Sequence, residues 1–263
     1  MDFEDIRVET DGAIGVVSFA RGDRNNTLRP QTLRELCTAL DELGLRSDVH
    51  AILLRADGKH FSAGADFDFL QDLTQTKTTA VRNDIYSHFQ GAARRLYHFE
   101  KPTVALVNGA AITVGCELAL ACDFRLATDS TRFQESWIKL GLMPPLGGMF
   151  LLPRIVGLGR AAQMTLRGEA IGGAAALAAG LVSEIVAPEN LDARGLEVAR
   201  ELAELPPLAY AAVKKALQRG LETTMDAEWS ANVQTQAVLI SSDDFREGLA
   251  AARERRQASF RGT

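Results

Sequence analysis

The sequence predicts a parallel α/β core followed by a helical C-terminal portion. Three observations carry that reading. Short apolar runs alternate with segments of helical periodicity through the first ~190 residues. Two of those runs, His50–Ala56 and Thr103–Val107, are nearly continuous in apolar residues, as strands covered on both faces are. From Gly159 onward the chain is Ala-rich and mostly helical in pattern.

Each element has a local reason. Ile6–Thr10 and Ile14–Phe19 are β-rich runs separated by Asp11-Gly12, a hairpin signal. Thr27 and Pro30 open a helix whose Leu33, Leu36, Cys37, Leu40 and Leu43 fall on one face, with Gly44 at its end. Asp57-Gly58 ends the strand from His50. Residues 72–80 are polar and weakly patterned, and a mobile loop is expected there. Asn83–Phe99 has helical spacing through Ile85, Phe89, Ala92, Ala93 and Leu96, and Pro102 stops it. A short apolar helix is expected over Val114–Ala121, and strands over Phe124–Ala127 and Val182–Val186. Pro206 suits a helix start, Gly220 a helix end, and Ser241–Asp244 caps the last helix.

Composition excludes several classes. With 46% hydrophobic and 24% charged residues, the 263-residue chain is neither disordered nor fibrous and can bury a sizeable core. Lys+Arg is 29 and Asp+Glu 34, and the resulting net charge of −5 argues against nucleic-acid binding. Arg253, Arg255, Arg256 and Arg261 read as a solvated helix face. Cys37, Cys116 and Cys122 form neither a disulfide framework nor a CxxC site and suit a reducing compartment. The acidic opening Met1-Asp2-Phe3-Glu4-Asp5 resembles neither a secretory signal nor a transit peptide. Val104–Cys122 is apolar, but Asn108, glycines and Glu117 interrupt it, so it reads as core and not as a membrane span. A cytoplasmic protein without membrane contact is expected.

Five constellations could carry chemistry. Gly157-Leu-Gly159-Arg-Ala-Ala162 fits a dinucleotide fingerprint but falls late in the chain, and a turn opening a helix is the better reading. His60-Phe61-Ser62-Ala63-Gly64 lacks the first glycine of a nucleophile elbow. His50, His60, His88 and His98 have no metal-ligand spacing, and no metal is expected. Ser62-Ala63-Gly64-Ala65-Asp66 leads from a buried strand through small residues into an apolar run. Its free amides could hold an oxyanion; equally, it could be an ordinary turn capped by Asp66. Asn108 through Ala119 repeats that pattern with one carboxylate, Glu117, in an apolar helix. A helix N-terminus attracts acids, but nothing apolar about Ala110–Cys122 requires one, which favours a functional acid/base.

At these segments the chain resembles the crotonase superfamily, the enoyl-CoA hydratase/isomerase family, over almost its whole length. The matching motifs are Arg24-Asn25-Asn26-Thr27-Leu28, Phe61-Ser-Ala-Gly-Ala-Asp66, Lys101-Pro-Thr-Val-Ala, and Asn108-Gly through Gly115-Cys-Glu-Leu-Ala119. Downstream they are Leu140-Gly-Leu-Met-Pro144 with Gly147-Gly148, Ala179-Gly-Leu-Val182, Phe245-Arg-Glu-Gly248 and Phe260. The resemblance implies a crotonase-like spiral of ββα units over 1–195, carrying the CoA-binding and active-site segments. It implies a C-terminal helical region over 196–263 that supports a homotrimer or a dimer of trimers and covers the site. It also implies an acyl-CoA thioester substrate, coenzyme A being part of that substrate and no other cofactor being needed.

The resemblance further implies that the thioester oxygen lies between the amides of Ala65 and Val114. The adenine and pantetheine would lie along Arg24, Asn25, Asn26, Ala63, Asp66 and Phe67. Of the two glutamates of the hydratases, one maps onto Glu117 and the other onto Trp137, whose indole N–H can only donate. Glu135, two residues earlier, could substitute if the backbone is extended there. Met143, Met149 and Phe150 suggest an apolar acyl pocket, which Trp137 would narrow. Val114 replaces the family's usual glycine, and Pro145 stands where the dehalogenase-like members carry their attacking aspartate. Reversible hydration of a 2-enoyl-CoA is the expected reaction. The alternatives are a one-carboxylate enoyl-CoA isomerase and a CoA-thioester binding protein with little catalysis.

Overall fold

A computed structural model describes residues 3–263, with the side chains of 84–86 left aside; Met1, Asp2 and the side chain of Ile85 therefore lie outside the described residues. The hairpin forms as expected from β1 (Ile6–Asp11) and β2 (Ile14–Phe19), paired antiparallel. Helix α1 (Pro30–Leu45) starts with Pro30 in its first turn, where the missing N–H costs nothing. It buries Leu33, Leu36, Leu40 and Leu43 on one face. Strand β3 (Ala51–Ala56) pairs parallel with β2. Helices α2 (Phe67–Leu73) and α3 (Thr78–Asp84) occupy much of the 72–80 stretch expected to be a loop. Asp66 caps α2 by accepting from the amides of Asp68 and Phe69, a local bond that outweighs the weak periodicity. The helix expected over Asn83–Phe99 forms as the end of α3, a π-turn over Ile85–Phe89 and α4 (Gln90–Tyr97), without a gap.

Strand β4 (Thr103–Val107) continues the parallel sheet, followed by β5 (Ala110–Ile112), α5 (Val114–Ala121), β6 (Phe124–Ala127) and β7 (Arg132–Gln134). Then come α6 (Gly148–Val156), α7 (Leu158–Leu166), β8 (Ala170–Gly172), α8 (Gly173–Ala178) and the short β9 (Glu184–Ile185). Gly157 caps α7 after a helix, not a strand, so the G-x-G-x-x-A match is a helix-to-helix turn. The C-terminal helices are α9 (Leu191–Ala203), α10 (Pro207–Gly220), α11 (Met225–Ser241) and α12 (Asp243–Glu254), the last capped by Ser242. No described helix is long and apolar enough to cross a membrane.

Among the described residues the strands form two sheets. A six-stranded sheet runs β1-β2-β3-β4-β6-β9, and a three-stranded sheet runs β5-β7-β8. The small sheet was not legible, because its strands are three residues long. Alternation along the central strands sorts the core onto two faces. Val17, Ile52, Leu54, Ala105 and Val107 pack with α1 and α4, while Ile14, Val16, Leu53, Val104 and Leu106 pack with α9. Glycine at 195 lets α9 lie close on the sheet, since a Cβ there would meet the Leu106 side chain at 2.4 Å and force it to shift.

Helix α5 lies wholly within this core, all eight of its residues being buried. Its C-terminal carbonyls need a donor where water cannot reach. Arg125, 7% exposed, provides one: its Nη1 donates to the carbonyls of Cys122 (2.6 Å) and Ala119 (3.2 Å), while Nε donates to Leu181 (2.6 Å). The cation sits at the negative end of the helix dipole. Arg125→Met should therefore leave these carbonyls unanswered and lower stability by about 3 kcal/mol. Urea unfolding followed by circular dichroism measures this, and a loss below ~0.5 kcal/mol would show that the carbonyls find other partners.

Candidate active site

Three loops converge at the N-terminal end of α5. The 61–66 segment is tied to the 108–112 segment by Phe61 N–H to Asn108 O (2.8 Å), Ser62 N–H to Ala110 O (2.9 Å) and Ile112 N–H to Ser62 O (3.0 Å). It is tied to the 25–28 turn by Ala63 N–H to Asn25 O (3.0 Å), Leu28 N–H to Gly64 O (2.8 Å) and Asp66 N–H to Leu28 O (3.0 Å). Successive amides of an extended segment point to opposite sides. With Gly64 O and Asp66 N facing Leu28, the Ala65 amide faces the other way, towards the small sheet. Gly64 has φ +98, and a Cβ there would lie 2.2 Å from Thr113 Oγ1, so only glycine lets the two loops meet.

Val114 is the first residue of α5, and its amide has no intrahelical acceptor. The preceding Thr113 adopts φ 47, ψ −112, a conformation rare for a β-branched residue. Its amide donates to Gln134 O (2.8 Å) and its carbonyl accepts from Glu117 N (2.9 Å), which holds the strained turn in place.

Glu117 is 1% exposed. Its Oε2 accepts from the amides of Leu146 (2.7 Å) and Gly148 (2.8 Å), and its Oε1 from Trp137 Nε1 (3.3 Å). A Cβ on Gly148 would come within 3.0 Å of that Oε2, so glycine permits the close approach. Burial pushes the carboxyl up, the three donors pull it back, and the balance sets it at about 7. A carboxyl so placed exchanges a proton readily near neutrality.

Behind it lies Glu135, fully buried, with no hydrogen-bond partner for either oxygen among the described residues. Burial first, then the Glu117 charge, push it well above the usual carboxylate range. The backbone after Glu135 is not extended: Ser136–Leu140 forms a 3₁₀ turn. The strand rule that would set Glu135 and Trp137 on one face therefore does not apply, yet both side chains end up beside Glu117.

A cavity of about 590 Å³ opens at this point. Ala65 and Trp137 form its inner end, and Phe67, Phe69, Leu70, Phe89, Leu142, Met143 and Pro145 its walls, with Phe69 stacked on Phe89 at 5.2 Å. Only Gln71 and Thr74 bring polar side chains to its lining. A second cleft of about 540 Å³ shares Phe69 and is lined by Arg21, Arg24, Arg29 and Arg34 with Asp66, Asp68 and Asp72.

The residues singled out from sequence thus divide. Ala65, Phe67, Trp137 and Met143 line the apolar cavity, while Val114, Glu117, Glu135, Met149 and Phe150 do not; Glu117 is joined to the lining through its bond from Trp137. Arg24 and Asp66 line the charged cleft. Asp66 is occupied by its helix cap, by Thr27 Oγ1 (3.0 Å) and by Arg21 (3.4 Å). Asn26 is buried and spends its amide on the carbonyls of Asp57 and His60, both at 2.8 Å. Asn25 has φ 52 and offers its carbonyl to Ala63, so these two asparagines shape the turn. Sequence reasoning missed the Leu146 and Gly148 amides, for which the Gly147-Gly148 pair was the available signal, and it missed Arg34.

The architecture agrees with that of known proteins. The enoyl-CoA hydratase/isomerase family model matches residues 9–263. The chain is 31% identical over 261 residues to the short-chain-enoyl-CoA hydratase of Clostridium acetobutylicum, covering 98% of this chain and 97% of that one. It is 32% identical over 261 residues to the crotonyl-CoA hydratase of Syntrophomonas wolfei, covering 99% of each. The solved enoyl-CoA hydratase subunit I of Geobacillus kaustophilus superposes with a TM-score of 0.92 at 30% identity, over 100% of both chains. A family match across nearly the whole chain, carried by a shared fold, makes this protein a member of the enoyl-CoA hydratase/isomerase family.

Proposed function

We propose that the protein catalyses reversible hydration of a 2-enoyl-CoA thioester, with Glu117 as the proton-transfer group and the Ala65 and Val114 amides as the oxyanion donors. The carrying observation is the Glu117 carboxyl, buried, bonded to the cavity-lining Trp137 and held by three fixed donors near its midpoint at neutral pH. Water adds to Cβ while Glu117 takes its proton, and the electron pair moves onto the thioester oxygen. Two preorganised amides stabilise that oxygen by about 3 kcal/mol each. Glu117 then returns a proton to Cα. The acyl chain occupies the apolar cavity, and the CoA phosphates meet Arg24 and Arg34 in the adjoining cleft. A cytoplasmic location fits the three buried free thiols.

One observation favours a second reading. Trp137 stands where the resemblance puts the hydratases' second glutamate, and a single carboxylate suffices to shift a double bond. Incubating 2-enoyl and 3-enoyl CoA thioesters in D2O, with mass spectrometry and chromatography, separates the two. Hydration predicts a water adduct on the 2-enoyl substrates, abolished by Glu117→Gln. Interconversion of double-bond isomers alone would establish the isomerase. Binding without turnover or Cα exchange would establish a thioester binder. Among active substrates, apolar acyl groups longer than four carbons should outperform those ending in a carboxylate, because no cation lines the cavity.

Acid–base work by Glu117 has a signed pH dependence. The ionised form accepts the proton, so kcat should fall as pH drops through about 7. The Trp137 N–H favours the ionised form, so removing it raises the carboxyl further. Trp137→Phe should move this acid limb upward, on the order of one pH unit. An unmoved limb would show that the indole has no part in the ionisation.

Self-association completes the proposal. The C-terminal helices expose Leu217 (70%), Trp229 (62%), Val233 (67%) and Val238 (67%), more large apolar surface than a monomer usually leaves in water. Sedimentation velocity should give a species of three or six chains, and Trp229→Glu with Val233→Glu should dissociate it. A monomer at micromolar concentration would end this part of the proposal.

A further inference from the structure

A carboxyl group with both oxygens buried and unanswered is costly, and most buried polar atoms have partners. Glu135 is such a group. It sits at the end of β7, where Gln134 O holds the strained Thr113 turn, and packs against α5. The titratable side chains facing it are Cys116 and Glu117, consecutive on α5. Cys116 is itself fully buried and faces Arg125 from its other side. No cation faces Glu135, so no ion pair explains it. A leucine would fill much the same space without the cost, so packing does not explain it either.

We propose that Glu135 is a positioning residue that keeps Glu117 ionised: Glu117 and Glu135 form a buried carboxyl pair that carries one proton at rest, held on Glu135. The inference rests on the acid/base role proposed for Glu117. Two adjacent buried carboxyls cannot both ionise, and the one with fewer donors keeps the proton. Glu117 has three donors, and Glu135 has at most the weak thiol of Cys116. A neutral Glu135 therefore leaves Glu117 ionised and ready to accept. During hydration the pair passes from one proton to two as Glu117 takes the proton of the attacking water. It returns to one when Glu117 protonates Cα. Protons balance, and Glu135 itself touches no substrate. Through Glu135 the chain supplies a second carboxyl that position 137 lacks, placed behind the first and not across the substrate from it.

The decisive experiment is a pH titration of the substrate-free protein by difference infrared spectroscopy, following the C=O band of a protonated carboxylic acid. The pair predicts such a band persisting above the Glu117 midpoint, lost in Glu135→Gln and kept in Glu117→Gln. In activity profiles, ionisation of Glu135 at high pH puts a second charge beside Glu117, which then holds its proton too tightly to return it to Cα, so the wild type should show an alkaline limb. Glu135→Gln should lose that limb and keep the acid limb near its wild-type position, because a neutral amide replaces a neutral acid. Three results would overturn the proposal: no persistent band in the wild type, an alkaline limb unchanged in Glu135→Gln, or an acid limb that falls by a full unit, which would mean Glu135 carried charge. If Glu135→Gln does not fold, the wild-type band, read against Glu117→Gln, still decides. Because the band is read without substrate, a failed hydration assay with the band present would reject the hydratase reading and leave the pair standing.

Discussion

Helix α5 imposes the constraint on which the rest depends. All eight of its residues are buried, so both polar ends must be satisfied by protein. Arg125 answers the C-terminal carbonyls from within the core. At the other end the fold leaves the first amide open and surrounds the only carboxylate on the helix with fixed donors. A helix made this apolar has little freedom to shift, since each displacement would break a buried hydrogen bond.

That rigidity is what the chemistry uses. The Thr113 conformation fixes the direction of the Val114 amide at the cost of backbone strain, and in the proposed reaction an oxyanion donor stabilises charge only if it is already aimed. The strain is held by bonds on both sides, to Gln134 O and from Glu117 N. Glycine at 64 brings the second amide-bearing loop against Thr113, and glycine at 148 lets a backbone amide approach the carboxylate. The small residues around the site are thus close-approach points between backbone segments. Adding one methyl group to either would move a donor.

Electrostatics at the site follow from low dielectric and few water contacts. Glu117 is pushed up by burial and pulled back by its three donors, leaving it poised. Glu135 has the burial without the donors. Two groups of one chemistry, one in α5 and one just after β7, thereby differ in their hold on a proton. Trp137 contributes a wall to the apolar cavity and a hydrogen-bond donor to Glu117, so one side chain links the shape of that cavity to proton affinity.

Patterns within a single element were legible in the sequence. The hairpin at Asp11-Gly12, the doubly covered strands, the short α5 and the Ser242 cap all arise from near-neighbour propensity and periodicity. Glu117 stood out because a lone carboxylate in an apolar helix is costly anywhere. The resemblance added the family and the oxyanion positions. What tertiary structure decided were contacts between segments far apart in the chain: the Leu146 and Gly148 amides on Glu117, Arg125 beneath α5, the three-residue strands of the small sheet, and Trp137 beside Glu117. Such contacts have no periodic signature, because hydrogen bonds between remote backbone groups depend on where loops meet and not on which side chains they carry. Glu135 shows the boundary most sharply. Sequence could place it two residues from Trp137, but only the folded core determines that its carboxyl is dry, unpartnered and next to another.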